Sequence, residues 1–274
     1  MEDILRAIAL GVIQGLTEFL PVSSSGHLIV ARELFGWEFA DDLTFDVALH
    51  LGTTAAVIAF FWNEWLAMLR SGWQWLTHRN TPVDDPNEVY DTRLLMVLAI
   101  GSIPAAIAGV FFEAVLDVRS PIIVGIMLIV FAVVLYAADR FAGGSRELGG
   151  ADAADAAWVG GAQAVSLVPG VSRSGVTISA AMARGFPREQ AARFSFMLAT
   201  PAILGAGLLK SAEAVVNGVP SDEIDAIVVG AAISAVVGWL SIRYLLRLLQ
   251  TGTLVPFVVY RLIAGTFIVL YFSL

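Results

Sequence analysis

The sequence of 274 residues contains no cysteine, and only 15% of its residues are charged. The first absence excludes disulfide bonds and thiol chemistry. The second excludes an ordinary soluble domain, in which about 25% of residues are charged. Because the chain is 58% hydrophobic and its mean hydropathy is +0.79, we predict an all-α polytopic membrane protein. The N-terminus also lacks the basic region of a cleaved signal peptide, so we expect the first apolar stretch to be retained.

About six apolar runs are close to the ~20 residues that a transmembrane helix needs. They leave no room for a separate soluble domain, so we expect a single integral membrane domain over residues 1–274. The connection at residues 63–93 is polar but rich in tryptophan, as expected at a membrane interface. The predicted spans cover residues 45–62, 94–116, 121–139, 190–212, 224–248 and 255–274.

Two further apolar segments are interrupted, one by Pro21 and the other by Pro169 followed by Gly170. Proline removes a backbone donor and disfavours helix in the residue before it. The pieces are therefore too short to cross a bilayer, and broken helices at that depth must be surrounded by protein or by a watery cavity. We predict two re-entrant helical hairpins, with half-helices at residues 3–18, 26–35, 158–168 and 174–184.

The two halves of the chain resemble each other on either side of a glycine-rich loop. Twelve positions separate Gln14 from Gly26, and twelve separate Gln163 from Gly175, with a proline and serines between them in both cases. Each half then has one hairpin and three spans, an odd number of crossings, so the second half enters the membrane inverted. Inverted repeats with broken helices place a binding site at the repeat interface. The halves are residues 1–140 and 151–274.

The arginines indicate how the chain is oriented. When the predicted crossings are counted, most of the arginines lie near one side of the membrane. The positive-inside rule makes this arginine-rich side cytoplasmic. Both chain ends and the opening of the first hairpin then face outward, and we expect a multi-pass protein of the cell membrane. The rich side holds Arg70, Arg79, Arg93, Arg140, Arg146, Arg184, Arg188, Arg193, Arg243 and Arg247, and the other side holds Arg6, Arg32, Arg119 and Arg261.

The first interrupted segment carries polar groups that an apolar environment does not explain. Residues 14–27 read QGLTEFLPVSSSGH, and an acidic group at the centre of a membrane helix costs about 2.5–3.5 kcal/mol on insertion scales. Gln14 and Glu18 are four residues apart and share one helix face. Glu18 is therefore predicted to bind a divalent metal or to transfer protons; the alternative is a structural partner for a buried group.

The serines and the histidine of the same segment suggest catalysis. Ser23, Ser24 and Ser25 can cap the returning helix, and Gly26 lets a ligand approach the backbone closely. Ser24 and His27 are three residues apart, so one helix face can bring them together as nucleophile and base. The alternative for His27 is a satisfied core residue.

The second interrupted segment has the composition of an anion site. Residues 168–177 read VPGVSRSGVT, and a helix that begins near Ser174 presents free N–H groups of the kind that bind phosphate. Arg173 adds a planar fork that matches phosphate oxygens, although it could also only neutralise Glu18. The other candidates for substrate binding in this segment are Gly170, Ser172, Ser174, Gly175 and Thr177, and those in the first segment are Gln14, Ser23, Ser25 and Gly26.

We interpret the two segments as halves of one polar site at membrane depth. A carboxylate, a serine–histidine pair and an arginine beside helix N-termini suit a phosphate head on a hydrophobic tail. The predicted partners are therefore a lipid phosphate or diphosphate and the surrounding membrane lipids, and no nucleic acid.

At these two motifs the sequence resembles the undecaprenyl-diphosphate phosphatase family, known as BacA or UppP. The resemblance implies hydrolysis of a polyprenyl diphosphate to the monophosphate, recycling of a lipid carrier for cell-envelope glycans, and resistance to bacitracin. It also implies a Mg²⁺ or Ca²⁺ cofactor, a site that faces outward, and frequent homodimers. By the same likeness Glu18 binds metal or shuttles protons, Ser24 and His27 are nucleophile and base, and Arg173 holds the diphosphate. Gln14 stands where many members have Glu, so the second carboxylate is missing.

Two other functions can be weighed on the sequence. The acid-phosphatase superfamily also uses Ser-Gly-His and Ser-Arg segments, but it needs a histidine about six residues after the arginine. Ser179 holds that position, and no histidine follows Arg173, which excludes this class. A transporter or flippase for the same lipid shares the inverted-repeat architecture, but transport alone does not call for a nucleophile and a base.

Overall fold

The computed structural model describes residues 2–37, 39, 42–77, 89–112, 120–217 and 223–274. Arg79 and Arg119, which entered the orientation count, lie outside these residues. Within the described ranges all regular secondary structure is helical, and the helices are joined by turns and irregular connections. The α-helices are α1 (Glu2–Phe19), α2 (Ser24–Phe35), α3 (Asp42–Phe60), α4 (Trp62–Thr77), α5 (Thr92–Phe112), α6 (Pro121–Arg140), α7 (Ala153–Val165), α8 (Arg173–Ala183), α9 (Arg188–Asn217), α10 (Ile224–Leu249) and α11 (Val255–Ser273).

Six of these helices are long and apolar enough to cross a membrane, namely α3, α5, α6, α9, α10 and α11. The predicted polytopic all-α fold is confirmed, and the predicted spans agree with these helices to within a few residues. Helix α4 was not predicted, because its charged and polar residues made the segment read as a connection. It is amphipathic: Met68 is buried in the main core cluster, whereas Trp73 on the same helix is exposed.

The two interrupted segments form pairs of helices broken around Pro21 and Pro169, as predicted. Helices α2, α7 and α8 contain 12, 13 and 11 residues. At about 1.5 Å per residue, each is well short of the ~30 Å hydrocarbon core. These three lengths fit half-helices, whereas α1 contains 18 residues and is longer than predicted, close to the ~20 residues of a span. The re-entrant course of the two pairs through a bilayer stays a prediction.

The breaks of the two halves share an unusual backbone conformation. Ser23 has φ 77° and ψ 95°, and Ser172 has φ 73° and ψ 110°; each is the residue directly before the second helix of its pair. Positive φ is uncommon outside glycine, so its recurrence at matching positions supports the repeat. The first helix of each broken pair also packs against a span of the other half: α1 packs on α10, and α7 packs on α5.

A cluster of charged side chains links the connection between the halves to α7 and to the end of α8. The carboxylate of Asp155, fully buried, accepts bonds of 3.0 and 2.7 Å from Arg146 and one of 2.6 Å from Arg184. Although burial alone raises its pKa, the hydrogen bonds from Arg146 and Arg184 hold the pKa of Asp155 below its usual range. A second pair, Arg188 with Asp139, joins the start of α9 to the end of α6. The first cluster therefore fixes α7 and the end of α8 to the connection between the halves, and the second pair fixes two spans to each other.

Candidate active site

The turns of the two broken pairs touch each other. The Ser174 hydroxyl donates to the Leu20 carbonyl at 3.2 Å. A Cβ atom on Gly26 would lie 3.5 Å from the Cα of Gly170 and only 2.8 Å from a methyl group of Val124. Glycine at position 26 therefore allows the turns to approach, and the two predicted halves of the site come together.

Glu18 and Arg173 form an ion pair across this junction. Arg173 Nη2 donates to Glu18 Oε1 at 2.9 Å, and Glu18 is only 5% exposed. A buried carboxylate is costly unless it is paired and hydrogen-bonded, and the second half of the chain supplies the cation. The structure thus joins the two charges that the sequence placed 155 positions apart.

The other carboxylate oxygen of Glu18 collects three polar groups. Ser24 Oγ donates to Oε2 at 2.6 Å and Gln14 Nε2 donates to it at 3.0 Å. His50 Nδ1 lies 2.8 Å from Gln14 Nε2 and 3.3 Å from Glu18 Oε2. Gln14 Oε1 is buried and has no hydrogen-bond partner in the ranges that the structure describes. A second polar ligand is therefore available at Gln14, although the position lacks a carboxylate.

His27 faces a different set of partners. Its Nδ1 lies 2.7 Å from the Ser23 carbonyl oxygen, and its Nε2 lies 2.6 Å from the Tyr260 hydroxyl. Because a carbonyl only accepts, Nδ1 carries the proton, and Nε2 of the neutral ring accepts from Tyr260. Since Ser24 donates to Glu18, the structure gives the two members of the predicted Ser24–His27 pair separate partners, and that pairing stays a prediction.

The hydroxyls around the turns differ in whether they are satisfied. Ser172 Oγ accepts from the Gly175 N–H at 3.1 Å and so caps α8. Thr177 of α8 and Ser195 of α9 share a hydrogen bond of 2.6 Å. Ser23 Oγ, in contrast, is buried without a partner, and no side chain caps α2. Ser25 is half-buried in the first turn of α2. The first turn therefore has polar capacity left for a ligand.

A narrow cleft between α3 and α9 lies against the ion pair. Its walls come from both halves of the chain, and two of its wall segments, residues 51–54 and 198–201, have similar sequences in the two halves. Glu18 and Arg173 line this cleft together with Phe19, Thr53, Thr54, Val57, Ala199, Thr200 and Ile203.

Three residues at the site were missed or undervalued on the sequence. His50 was not among the predicted site residues, because one histidine in an apolar span is commonly a core residue. Tyr260 and Arg261 occur in a segment that reads as an ordinary span. The available signal was the arginine itself, a charge within 19 otherwise apolar or weakly polar residues of α11.

Known proteins with similar sequences agree with these motifs. A family model described as "Bacitracin resistance protein BacA" matches residues 7–267. A protein of Pelotomaculum thermopropionicum named undecaprenyl-diphosphatase is 44% identical over 96% of this chain and 94% of its own length. Proteins with the same name from Thermomicrobium roseum and Geobacter metallireducens are each 42% identical, over 99% and 97% of both chains. The resemblance seen in the two motifs is thereby confirmed, and the chain belongs to the BacA family.

Proposed function

We propose that this protein is an undecaprenyl-diphosphatase, which hydrolyses the lipid diphosphate to the monophosphate and inorganic phosphate and so recycles the carrier for cell-envelope glycans. The observation that carries the proposal is the bridging position of Glu18, which accepts hydrogen bonds from Ser24 and from Arg173. A serine hydroxyl, a proton acceptor and an arginine fork thus lie within one site between the two turns. The names of the relatives and the apolar surroundings support a polyprenyl tail on the substrate.

The diphosphate would be held by the turns and by Arg173. The first turns of α2 and α8 offer backbone N–H groups and the positive ends of their helix dipoles. Ser23 Oγ adds a buried hydroxyl that has no partner among the described residues. Arg173 can exchange its bond to Glu18 for bidentate bonds to phosphate oxygens.

In the proposed reaction the Ser24 oxygen attacks the terminal phosphorus while its proton passes to Glu18. The bond between that phosphorus and the bridging oxygen breaks, and the bridging oxygen leaves as part of the lipid monophosphate. Water then cleaves the phosphoserine, releasing inorganic phosphate and restoring the hydroxyl. His27 is the proposed base for that water, which would take the place of the Tyr260 hydroxyl at the Nε2 lone pair.

A Mg²⁺ or Ca²⁺ ion fits the oxygen donors that are present. Gln14 Oε1 is a buried acceptor without a partner, and Glu18 supplies carboxylate oxygens, which hard cations prefer. No group of three or more His, Cys, Asp or Glu side chains in the described ranges could hold a metal ion. We therefore propose that Gln14 and Glu18 would hold the cation when the substrate is bound. When bound, it would neutralise charge on the departing phosphate.

We also propose that the site opens to the outer side of the cell membrane. The asymmetry of the arginines across the predicted spans supports this orientation. Exposed apolar side chains on α5, α6, α10 and α11 provide the surface for membrane lipids. The homodimer implied by the family likeness stays a prediction.

The experiment is phosphate release from farnesyl diphosphate by the detergent-purified protein with Mg²⁺ or Ca²⁺. We expect release by the wild type and strongly reduced release by Ser24→Ala and His27→Ala. Mass spectrometry of rapidly quenched wild type should find phosphate on Ser24; a modification on His27, or none during turnover, would contradict the serine step. If the wild type releases no phosphate, the enzyme assignment is wrong and lipid transport becomes the better hypothesis.

A further inference from the structure

Arg261 is a fully buried cation at the point where the two turns meet. It lies in α11, and its relative exposure is 0%. Its guanidinium donates to the carbonyl oxygens of Pro21 at 3.1 Å, Gly170 at 3.1 Å and Val171 at 3.0 Å. It also donates to Leu128 in α6 at 3.2 Å. One side chain therefore holds the first turn, the second turn and a span.

The charge of Arg261 is not balanced by a carboxylate within the part of the chain that the structure describes. Its bonds there go to neutral carbonyls, whereas the charge of Arg173 is balanced by Glu18. Burying an ion costs several kcal/mol even after relaxation of its surroundings. The pair of Glu18 and Arg173 is neutral overall, so Arg261 leaves the junction with an excess of positive charge. That excess complements an anion.

Arg261 places this positive charge close to the N-termini of α2 and α8. The carbonyls that it holds in the turns come just before Ser23 and Ser172, the residues with positive φ. Its Nη1 would be 3.0 Å from a Cβ atom on Gly175, in the first turn of α8. The guanidinium thus lies directly behind the backbone that would receive phosphate, and Gly175 leaves room for it.

We propose that Arg261 is a positioning residue for the diphosphate. It fixes the two turns so that the N-termini of α2 and α8 converge on one anion, and its charge is neutralised when that anion binds. Its side chain does not reach the reacting atoms, because its donors are occupied by the carbonyls of Pro21, Gly170, Val171 and Leu128. This inference rests on the proposed function only for the identity of the anion.

The test compares Arg261→Gln and Arg261→Lys with Arg243→Gln, an exposed arginine on α10 that lies over Trp239. Binding of inorganic pyrophosphate is measured by calorimetry with and without Mg²⁺, and kcat and KM are measured with farnesyl diphosphate. For Arg261→Gln we expect the pyrophosphate Kd and the KM to rise about ten-fold or more, the scale of a lost charge-assisted contact. Arg261→Lys keeps the charge but not the fork, so its Kd should lie between those of the wild type and Arg261→Gln. Arg243→Gln should match the wild type.

A purely structural role would lower the folded fraction and kcat but would leave the Kd of the folded protein unchanged. A pyrophosphate Kd within about two-fold of wild type in folded Arg261→Gln, well below the effect of a lost charged contact, would therefore overturn the proposal. If Arg261→Gln does not fold, Arg261→Lys decides by the same criterion. Pyrophosphate binding that depends on Arg261, in a protein that releases no phosphate, would contradict the phosphatase assignment and leave this inference intact.

Discussion

The turns of the two halves share one unusual backbone conformation and have very different side chains. Ser23 and Ser172 share positive φ, and each precedes the second helix of its pair. At matching positions, however, the first half has Glu18 where the second has Leu167, and Ser24 where the second has Arg173. The repeat therefore preserves a way of presenting helix N-termini, while the chemistry is divided between its copies.

This difference shows why the site needs both halves. Glu18 of the first half would lose its arginine partner without Arg173, and the Arg173 guanidinium of the second half would lack an anionic partner without Glu18. The serine hydroxyls also differ between the two turns, since Ser172 Oγ caps its own helix and Ser23 Oγ does not. The first turn is thus specialised for reaction and the second for holding charge. The following experiments test that division, beginning with the largest effect.

Glu18→Gln should abolish most activity, whereas Leu167→Gln at the matching position should leave it within about two-fold. Glutamine keeps the shape of the side chain but cannot take the proton of Ser24 or balance Arg173, and loss of acid–base function costs about 10²–10⁴-fold in rate. Phosphate release from farnesyl diphosphate measures both variants. Equal losses in the two variants would show that the halves are not specialised.

Arg173→Gln should reduce kcat/KM by about 10²–10³-fold, as expected when a group that stabilises transition-state charge is removed. Arg188→Gln, which removes an arginine paired with Asp139 away from the site, serves as the control for loss of a partly buried cation. Its folded fraction should keep the KM of the wild type. A similar rise in KM for both variants would argue against a specific role of Arg173.

Tyr260→Phe should lower kcat by about two- to ten-fold, the effect of one lost hydrogen bond of about 0.5–1.5 kcal/mol. The removed hydroxyl holds His27 Nε2 at 2.6 Å, so the imidazole loses its orientation. Tyr271→Phe, on the same helix but stacked against Phe267, should be neutral in the same rate assay. If Tyr260→Phe is also neutral, the Tyr260 hydroxyl does not position the base.

The smallest effects should separate the two serines with positive φ. Ser172→Ala removes a helix cap and should lower unfolding stability by about 1 kcal/mol, with little change in the KM of the folded protein. Ser23→Ala removes a hydroxyl that makes no hydrogen bond within the described part of the chain, so stability should hold while KM rises a few-fold, as for one lost hydrogen bond. Thermal unfolding in detergent and KM for farnesyl diphosphate are the measurements, and the reverse pattern would exchange the roles assigned to the two turns.

Much of the fold could be predicted because a membrane restricts what a sequence can do. Apolar runs near 20 residues and the prolines at the breaks were sufficient to predict the spans and the broken pairs. Glu18 and Arg173 could be paired without coordinates, since each is too costly to bury alone in an apolar segment. Helix α4 could not be predicted, because an amphipathic helix at a membrane interface carries polar and charged residues that are also typical of a loop.

The details of the site depended on information that local spacing does not contain. Ser24 and His27 are a helical turn apart, but the positive φ of Ser23 sets how the turn folds back, and Ser24 meets Glu18 across it. Tyr260 and Arg261 reach the turns from the last span. A single sequence records no such contact between distant segments.

The most direct test of one active centre shared by both halves is a double-mutant cycle between Glu18→Gln and Arg173→Gln, followed by phosphate release from farnesyl diphosphate. Residues that act as a unit give losses that do not multiply. We predict that the double variant is no slower than the worse single variant by more than about two-fold, because either change alone already disables the unit. A double variant whose loss equals the product of the two single losses would contradict a shared centre.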